Sequence, residues 1–455
     1  MASAPNRRRR SRAKGRTALV VESLESRLWP IPVLAIVVAV AVGIVIPQLD
    51  LRVDSDLPTG VGSAVFNGGA DTARSVLSSI AGSLITATSL TFSLTVVALQ
   101  LASSQASPRV LRLFARDRQV HLTLAAFLGT FAYSLTVLRT VRNDTDEVPE
   151  FVPRIAITAA FVLTLLSVIM LVVFLAHLAS QLRLETIVKD IHGETDETID
   201  LIAGSVADLP AYPHRFSTPQ NATSILATSS GFITSLDRTG LLDVASERGL
   251  VIEEVRRVGD NVVDGTPLAR WWRSGNSSTP LDHDAIADEV RTAHKIGYER
   301  TAAQDIDFGV QQIVDIGVRA LSPGINDPIT AVNALGHLGA LVTRIVTMPT
   351  TPAALADSDG TLRVVTRRVL PGETVHLALS QIRHYGATDA VLVRRFLQVI
   401  SDLAYTCDDP AVTDALRYQL AALDRQLRQD DSDPAARNEL LDETAQVLAS
   451  ISPAG

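Results

Sequence analysis

The sequence predicts a mainly α fold: a four-helix transmembrane domain joined to a cytoplasmic α+β domain with a small β-insert and a helical remainder. Three observations lead there. Charged residues make up only 20% of 455 positions against 47% hydrophobic, where a soluble domain carries about a quarter charged. The deficit is local, because residues 75–108, 121–138 and 155–182 contain no Asp, Glu, Lys or Arg. Arginine-rich and acid-rich loops then alternate between these runs, as cytoplasmic and external loops do. Together they exclude a purely soluble enzyme, a secreted disulfide scaffold and a disordered acidic chain.

Residues 1–28 form a basic tail ahead of a transmembrane domain at 29–182. Arg7, Arg8, Arg9, Arg10, Arg12, Lys14 and Arg16, with Arg27 nearer the first apolar run, oppose only Glu22 and Glu25. Such a block could bind nucleic acid, but beside an apolar run it reads as a cytoplasmic anchor on anionic lipid, so the expected partner is the bilayer and no nucleic acid is expected. The first span is placed at 30–47, opened by Pro30 and Pro32 and stopped by Pro47. No small-residue cleavage site follows it, so it reads as a retained helix. Cys407 is the only cysteine and leaves no internal disulfide.

Three further spans fall near 76–104, 121–139 and 154–180. The loop after the second carries Arg109, Arg112, Arg116 and Arg118 against Asp117, whereas Asp50, Asp54, Asp56 and Asp71 dominate 48–75 and Asp144, Asp146, Glu147 and Glu150 dominate 140–153. The positive-inside rule puts both termini in the cytoplasm, and cationic charge carried almost wholly by arginine, with Lys14, Lys189 and Lys295 the only lysines, points with the heavy alanine use to a GC-rich bacterial genome and so to a bacterial plasma membrane.

The second span is the unusual one. Its uncharged 34 residues would measure about 51 Å as a helix, beyond the roughly 30 Å of hydrocarbon. At 100° per residue Ser75, Ser79, Gly82, Thr86, Ser89, Ser93, Gln100, Ser104 and Ser107 fall in one sector of about 80°, with Leu77, Leu84, Phe92 and Leu99 opposite. Two readings compete. Small residues let helices approach closely, with hydroxyls bonding across or back to the preceding turn. Alternatively, copies of this helix in a homo-oligomer line a water-filled path for small ions, with Ser79, Thr86, Ser89, Ser93, Gln100 and Ser104 as lining and Arg109 and Arg112 at the inner mouth. Thr88, Thr91 and Thr95 lie off the stripe and are expected to bond their own backbone. His177, near the end of the fourth span, reads as either an interfacial residue or a proton site.

Beyond the spans, 183–230 reads as a helical extension of the fourth span plus linker, broken by the Ala211–Arg215 stretch. Residues 231–273 read as a small β module, with hairpin signals in Gly259-Asp260 and Asp264-Gly265. That phrase resembles the turn of biotinyl and lipoyl modules but lacks their lysine, so no carrier role and no cofactor is expected. Residues 281–348 read as helical. Ile306, Val310, Ile313, Gly317 and Leu321 form a core face opposite Arg300, Gln304, Gln311, Asp315 and Arg319. The helix stops at Ser322-Pro323-Gly324, and Asp327 before Pro328 is expected to cap the next helix, giving a corner with Asn326 and Asp327 at an exposed helix start. After a linker near 349–361, residues 372–455 read as amphipathic helices with Leu377, Ile382, Val391, Phe396, Leu397 and Ile400 in the core; Arg383, His384 and Tyr385 are expected at a helix end.

The Ser322–Pro328 phrase, the upstream Glu299-Arg300-Thr301 and Gln304-Asp305, and the Thr91–Thr95 and Ser107–Arg109 segments together resemble a family of predicted bacterial membrane proteins known only as a domain of unknown function. The resemblance covers most of the chain and implies membrane integration without an activity. Asp305, Asp307, Asp315 and Asp327 could form a metal or acid–base cluster, but capping and surface charge explain them equally. No nucleophile elbow, Walker loop or Cys/His metal spacing is present, so no enzyme is expected. The leading expectation is a homo-oligomeric ion channel or channel-like transporter. The alternative is a membrane-anchored scaffold or sensor that binds a cytoplasmic partner through the 299–328 corner.

Overall fold

A computed structural model describes residues 29–53, 66–105, 117–143, 150–181, 183–275, 280–430 and 433–451. The basic tail, Ser107, Arg109 and Arg112 lie outside them. The protein is mainly helical with some sheet, and the chain divides into two units, Met1–Thr186 and Ile187–Gly455.

In the first unit α1 spans Pro30–Val53. It does not stop at Pro47. An internal proline removes one backbone hydrogen bond, and the turn beyond it is held by the buried Asp50, whose carboxylate accepts the Ile155 and Ala156 N–H groups at 3.1 and 3.0 Å. A carboxylate there satisfies orphan donors at the start of α4 and complements its dipole. Helix α2, Ala70–Gln105, begins ahead of the expected span, with Glu150 accepting the Ala70 N–H at 2.9 Å. Helices α3, Arg118–Leu138, and α4, Arg154–Gln181, complete the unit.

Helix α3 packs against the other three. Its Phe127, Tyr133 and Val137 meet Leu77, Ile80 and Leu84 of α2 and Ala156, Ile157 and Ala160 of α4. The Tyr133 hydroxyl donates to the Ala156 carbonyl at 3.0 Å. By contrast, α1 and α4 turn apolar surface outward, with Leu34 64%, Ile169 58% and Val172 62% exposed. Each such side chain left in water forgoes about 1.5–3 kcal/mol, whereas hydrocarbon is its natural solvent. His177 is not isolated: its Nε2 lies 2.6 Å from the Asp117 carboxylate, which also accepts the Gln119 N–H to cap α3.

In the second unit α5 is Leu184–Ala207. It starts after a non-helical Arg183, so the fourth span and this polar helix are separate elements rather than the single helix expected. The strands are more dispersed than a module at 231–273. Strand β1 is Thr223–Leu226, β2 Gly231–Leu236, β3 Leu250–Glu254, β4 Asn261–Val262 and β5 Pro267–Arg273; β6 is His294–Gly297, β7 Ala354–Ala356 and β8 Leu362–Val365. One sheet runs β1-β5-β3-β8-β7 and the other β4-β2-β6. All pairs are antiparallel except β3 with β8, where Ile252 faces Val364. The Asp264-Gly265 turn, with Gly265 at φ +77°, therefore passes the chain from one sheet to the other instead of closing a hairpin. The linker expected at 349–361 contains β7, and the 281–348 stretch contains β6.

Helices α6, Arg238–Arg248, and α7, His283–Ala293, cover the larger sheet through Leu241, Ala245, Ile286 and Val290. Helix α8 is Ile306–Ala320, α9 Pro328–Thr347, α10 Pro371–Gly386, α11 Ala390–Thr406, α12 Pro410–Gln429 and α13 Pro434–Ser450. Helix α8 has no single core face: Phe308, Gln312, Val314 and Ile316 are buried along with Val310, Ile313 and Gly317, while Ile306 and Leu321 at its ends are half-buried. Ile382, Phe396, Leu397 and Ile400 are buried, but Leu377 is half-buried and Val391 is 55% exposed, because Val391 lies in the first turn of α11 while Leu392 and Val393 face inward. Arg383 donates to the Gln419 and Gln426 side-chain carbonyls and so ties α10 to α12.

Among the described residues five helices, not four, are long and apolar enough to cross a membrane. The fifth is α9, whose apolar window is 50% buried, between 17% in α1 and α4 and 67% in α3. Its Ala334, Leu335, Leu338 and Leu341 are covered by α8, α10 and α11 of its own unit.

Candidate functional site

Three places carry the chemistry: the polar face of α2, the 299–328 motif and a cleft in the second unit. On α2 the buried side is Ala73, Leu77, Leu84, Thr91, Thr95 and Ala98. The stripe lies on the other side, where Ser75, Ser79, Gly82, Thr86, Ser89, Ser93 and Gln100 are all exposed. Phe92 does not join the buried set and is 54% exposed; it sits on the flank of the helix. Of Ser104 only its place in α2 is described. Among the described residues the stripe is therefore left open, and a Cβ on Gly82 would meet no atom within 4 Å. Thr86 donates to the Gly82 carbonyl at 2.9 Å, and Thr88 and Thr95 likewise bond one turn back. The buried Thr91 hydroxyl has no partner among the described residues, contrary to expectation.

The motif residues divide between two jobs at opposite ends of α8. At its start Arg300 donates through Nε and a terminal nitrogen to both Asp305 oxygens at 2.8 Å and lies over the Phe308 ring at 5.4 Å. Asp305, 5% exposed, also accepts the Phe308 N–H at 3.1 Å as N-cap. Burial works against the Arg300 charge, but the hydrogen bonds and charge of Asp305 outweigh it and hold its pKa above the usual value. Gly259, at φ +90°, passes directly over this carboxylate, and a Cβ there would lie 3.0 Å from the Asp305 Cγ. Gln304 Oε1 accepts the Leu236 N–H at 2.9 Å, fastening the motif to β2. Glu299 is exposed.

At the far end Asp327 accepts the Thr330 hydroxyl at 2.6 Å and the Thr330 N–H at 3.1 Å, and these bonds lower its pKa. Pro328 opens α9. Asn326 is exposed, as expected, and takes φ +50°, a left-handed conformation that asparagine tolerates. Its N–H and that of Ile325 reach the Ser322 carbonyl, so the turn through Pro323 and Gly324 closes on itself. The four aspartates are not brought together. Asp327 lies beyond the end of the 15-residue helix that Asp305 caps at its start, about 22 Å away, and Asp315 is bonded to Gln311 on the helix flank.

The cleft was not legible as a site in the sequence. It encloses about 640 Å³ between the last turns of α5, the ends of β2 and β6, the first turn of α8 and the 366–371 segment entering α10. An adjoining hollow of about 700 Å³ shares Arg257, Asp307, Arg367 and Arg368 with it. Arg257 bridges Asp307 at 3.3 Å and Glu373 at 3.0 Å. Burial raises the Asp307 pKa, with Arg257 opposing. Arg238 is paired with Glu254 through two bonds of 2.8 and 3.0 Å. The one sequence signal for this site is the Arg367-Arg368 doublet just before the proline that starts α10.

His294, at the start of β6 below the cleft, is 4% exposed and donates from Nδ1 to the Val290 carbonyl at 2.8 Å. Burial lowers its pKa from 6.5. The unfolded chain therefore takes up a proton first on acidification, and the stability this group contributes is present above about pH 6.5 and lost as pH falls through its lower folded value. Melting followed by tryptophan fluorescence between about pH 7.5 and 5, a window spanning the ordinary histidine range, should show this acid loss, and His294→Gln should flatten it; an equal slope in the variant would contradict the assignment.

Exposed apolar helices around a packed centre and a separate α+β unit define a helical membrane protein. The chain belongs to the family described as "Predicted membrane protein (DUF2254)", whose model matches residues 25–402. Uncharacterized proteins of Mycobacterium bovis and of Mycobacterium tuberculosis are each 30% identical to it over 446 residues, covering 97% of this chain and 84% of the relative. No solved structure matches it significantly.

Proposed function

We propose that the protein is a homo-oligomeric ion channel or channel-like transporter of the bacterial plasma membrane, with both termini cytoplasmic. The polar face of α2 lines its path and the second unit gates or assembles it. One observation carries this reading: the seven described stripe positions are exposed on the single chain while the opposite side of α2 fills the core. A serine or threonine hydroxyl in lipid can be satisfied by its own helix, but the Gln100 amide cannot, and burying such a group unpaired costs about 1–3 kcal/mol on mutational scales. A facing copy of the chain and a column of water would each remove that cost, and a ring of copies supplies both.

Purified protein in liposomes should pass small ions, and Gln100→Leu or Ser93→Leu should change the flux about tenfold, the effect of roughly 1.4 kcal/mol on a barrier. Silence with every ion tried would overturn the reading. A membrane-anchored scaffold is a second reading, favoured by the exposure of Ile325 (45%) and Ile329 (62%) at the corner; loss of a copurifying cytoplasmic protein on Ile329→Arg would support it.

A further inference from the structure

The cations of the cleft fall into two groups. Arg238, Arg257 and Arg300 are matched to carboxylates. Lys295, Arg367 and Arg368 line the same space and have no ion-pair partner among the described residues. Arg257 is shared by three acids, Asp260, Asp307 and Glu373, and Asp237 of the lining caps α6. The three unpaired cationic heads are thus open to an anion.

Two further features point to the kind of anion. Helix α10 opens at Pro371 behind Leu370, which makes no side-chain cap, whereas α8 and α9 are capped by Asp305 and Asp327. The acid of its first turn, Glu373, is turned to Arg257, so the positive end of the helix dipole is left for an anion. Within that turn Thr374 is 1% exposed and lines the cleft, yet its hydroxyl has no hydrogen-bond partner among the described residues. A buried hydroxyl without a partner is costly, and a phosphate oxygen would satisfy it. The opposite wall is aliphatic, formed by Ile202, Val206, Ile306 and Ile345. A volume of about 640 Å³ falls within the roughly 300–1,000 Å³ of small-molecule sites.

From this geometry we infer that the cleft binds an organic phosphate, with its phosphate group at the start of α10 against Arg367, Arg368 and Thr374 and its body on the aliphatic wall. The same chemistry occurs in a soluble phosphate ester and in a phospholipid headgroup. The site lies wholly within the second unit and is independent of what passes along α2.

Calorimetry on the full-length protein in neutral-lipid nanodiscs, with inorganic phosphate, AMP and dihexanoyl phosphatidic acid as probes, tests it. AMP or the phosphatidic acid should bind saturably and more tightly than inorganic phosphate. The tighter of the two identifies the source, soluble ester or headgroup. The double variant Arg367→Gln/Arg368→Gln should weaken binding by about tenfold or more, as loss of charge-assisted bonds does. Thr374→Val, nearly isosteric, should weaken it by a smaller factor without lowering the melting temperature of the free protein and stands in should the double variant fail to fold. Absence of binding by all three probes, or unchanged binding in a folded variant, overturns the inference.

Discussion

Asp305→Ala is expected to lower the melting temperature of the second unit by about 10 °C. Asp305 is paired with Arg300 through two bonds of 2.8 Å and caps α8 through the Phe308 N–H. Removing it strands a guanidinium that is only 23% exposed. Breaking one side of a buried pair costs about 3–5 kcal/mol, and each kcal/mol shifts a large domain by roughly 2–4 °C. Two of the three tryptophans, Trp271 and Trp272, lie on β5, so fluorescence melting of the full chain in detergent reads this unit. Replacing both partners, Arg300→Met with Asp305→Leu, should cost less than Asp305→Ala alone, because no charge is left uncompensated. Equal losses would show that the capping bond, and not the ion pair, carries the effect.

Gly309→Ala is the second large effect. Gly309 lies on α8 where Thr195 of α5 crosses it, and a Cβ there would overlap the Thr195 hydroxyl and come within 3.0 Å of its Cβ and Cγ2. That hydroxyl is committed to the Ile191 carbonyl at 2.6 Å, and one turn on Thr198 donates to the Ala302 carbonyl at 3.0 Å. The two helices therefore have little room to separate. Overpacking of this kind costs about 1–3 kcal/mol. Thr195→Ala should recover part of the loss, since the two substitutions share one contact and are not additive. Losses that simply add would place the strain elsewhere.

The sequence showed the membrane helices because their signal is local: uncharged runs set the helices, and residue phase along α2 already separates Ser79 and Ser93 from Leu77 and Leu84. Helix ends were less legible. Pro47 is a stop signal by its own chemistry, but Asp50 bonds to the start of α4, far along the chain, and keeps the helix going. The caps at Asp305 and Asp327 follow from residue type and position, which is why the motif could be placed on helix ends. The cleft could not be found that way, since its walls are drawn from Leu201 at one extreme to Thr374 at the other. It depends on β3 pairing with β8, elements distant in sequence, and no periodicity encodes that register. Arg367 and Arg368 look like an ordinary surface doublet until the fold places them in one cleft with Ile202 and Ile345.

Whether the polar face of α2 looks onto water in the membrane is tested most directly by cysteine substitution. Cys407 is the only native cysteine and is 9% exposed, so background labelling is low. In membrane vesicles, Ser89→Cys and Ser93→Cys should react with a charged, membrane-impermeant thiol reagent and cross-link between copies. Ile85→Cys and Phe92→Cys, on the exposed apolar flank, should do neither. Stripe cysteines as inert as those at Ile85 and Phe92, in a protein that runs as a monomer, would contradict a water-lined path along α2.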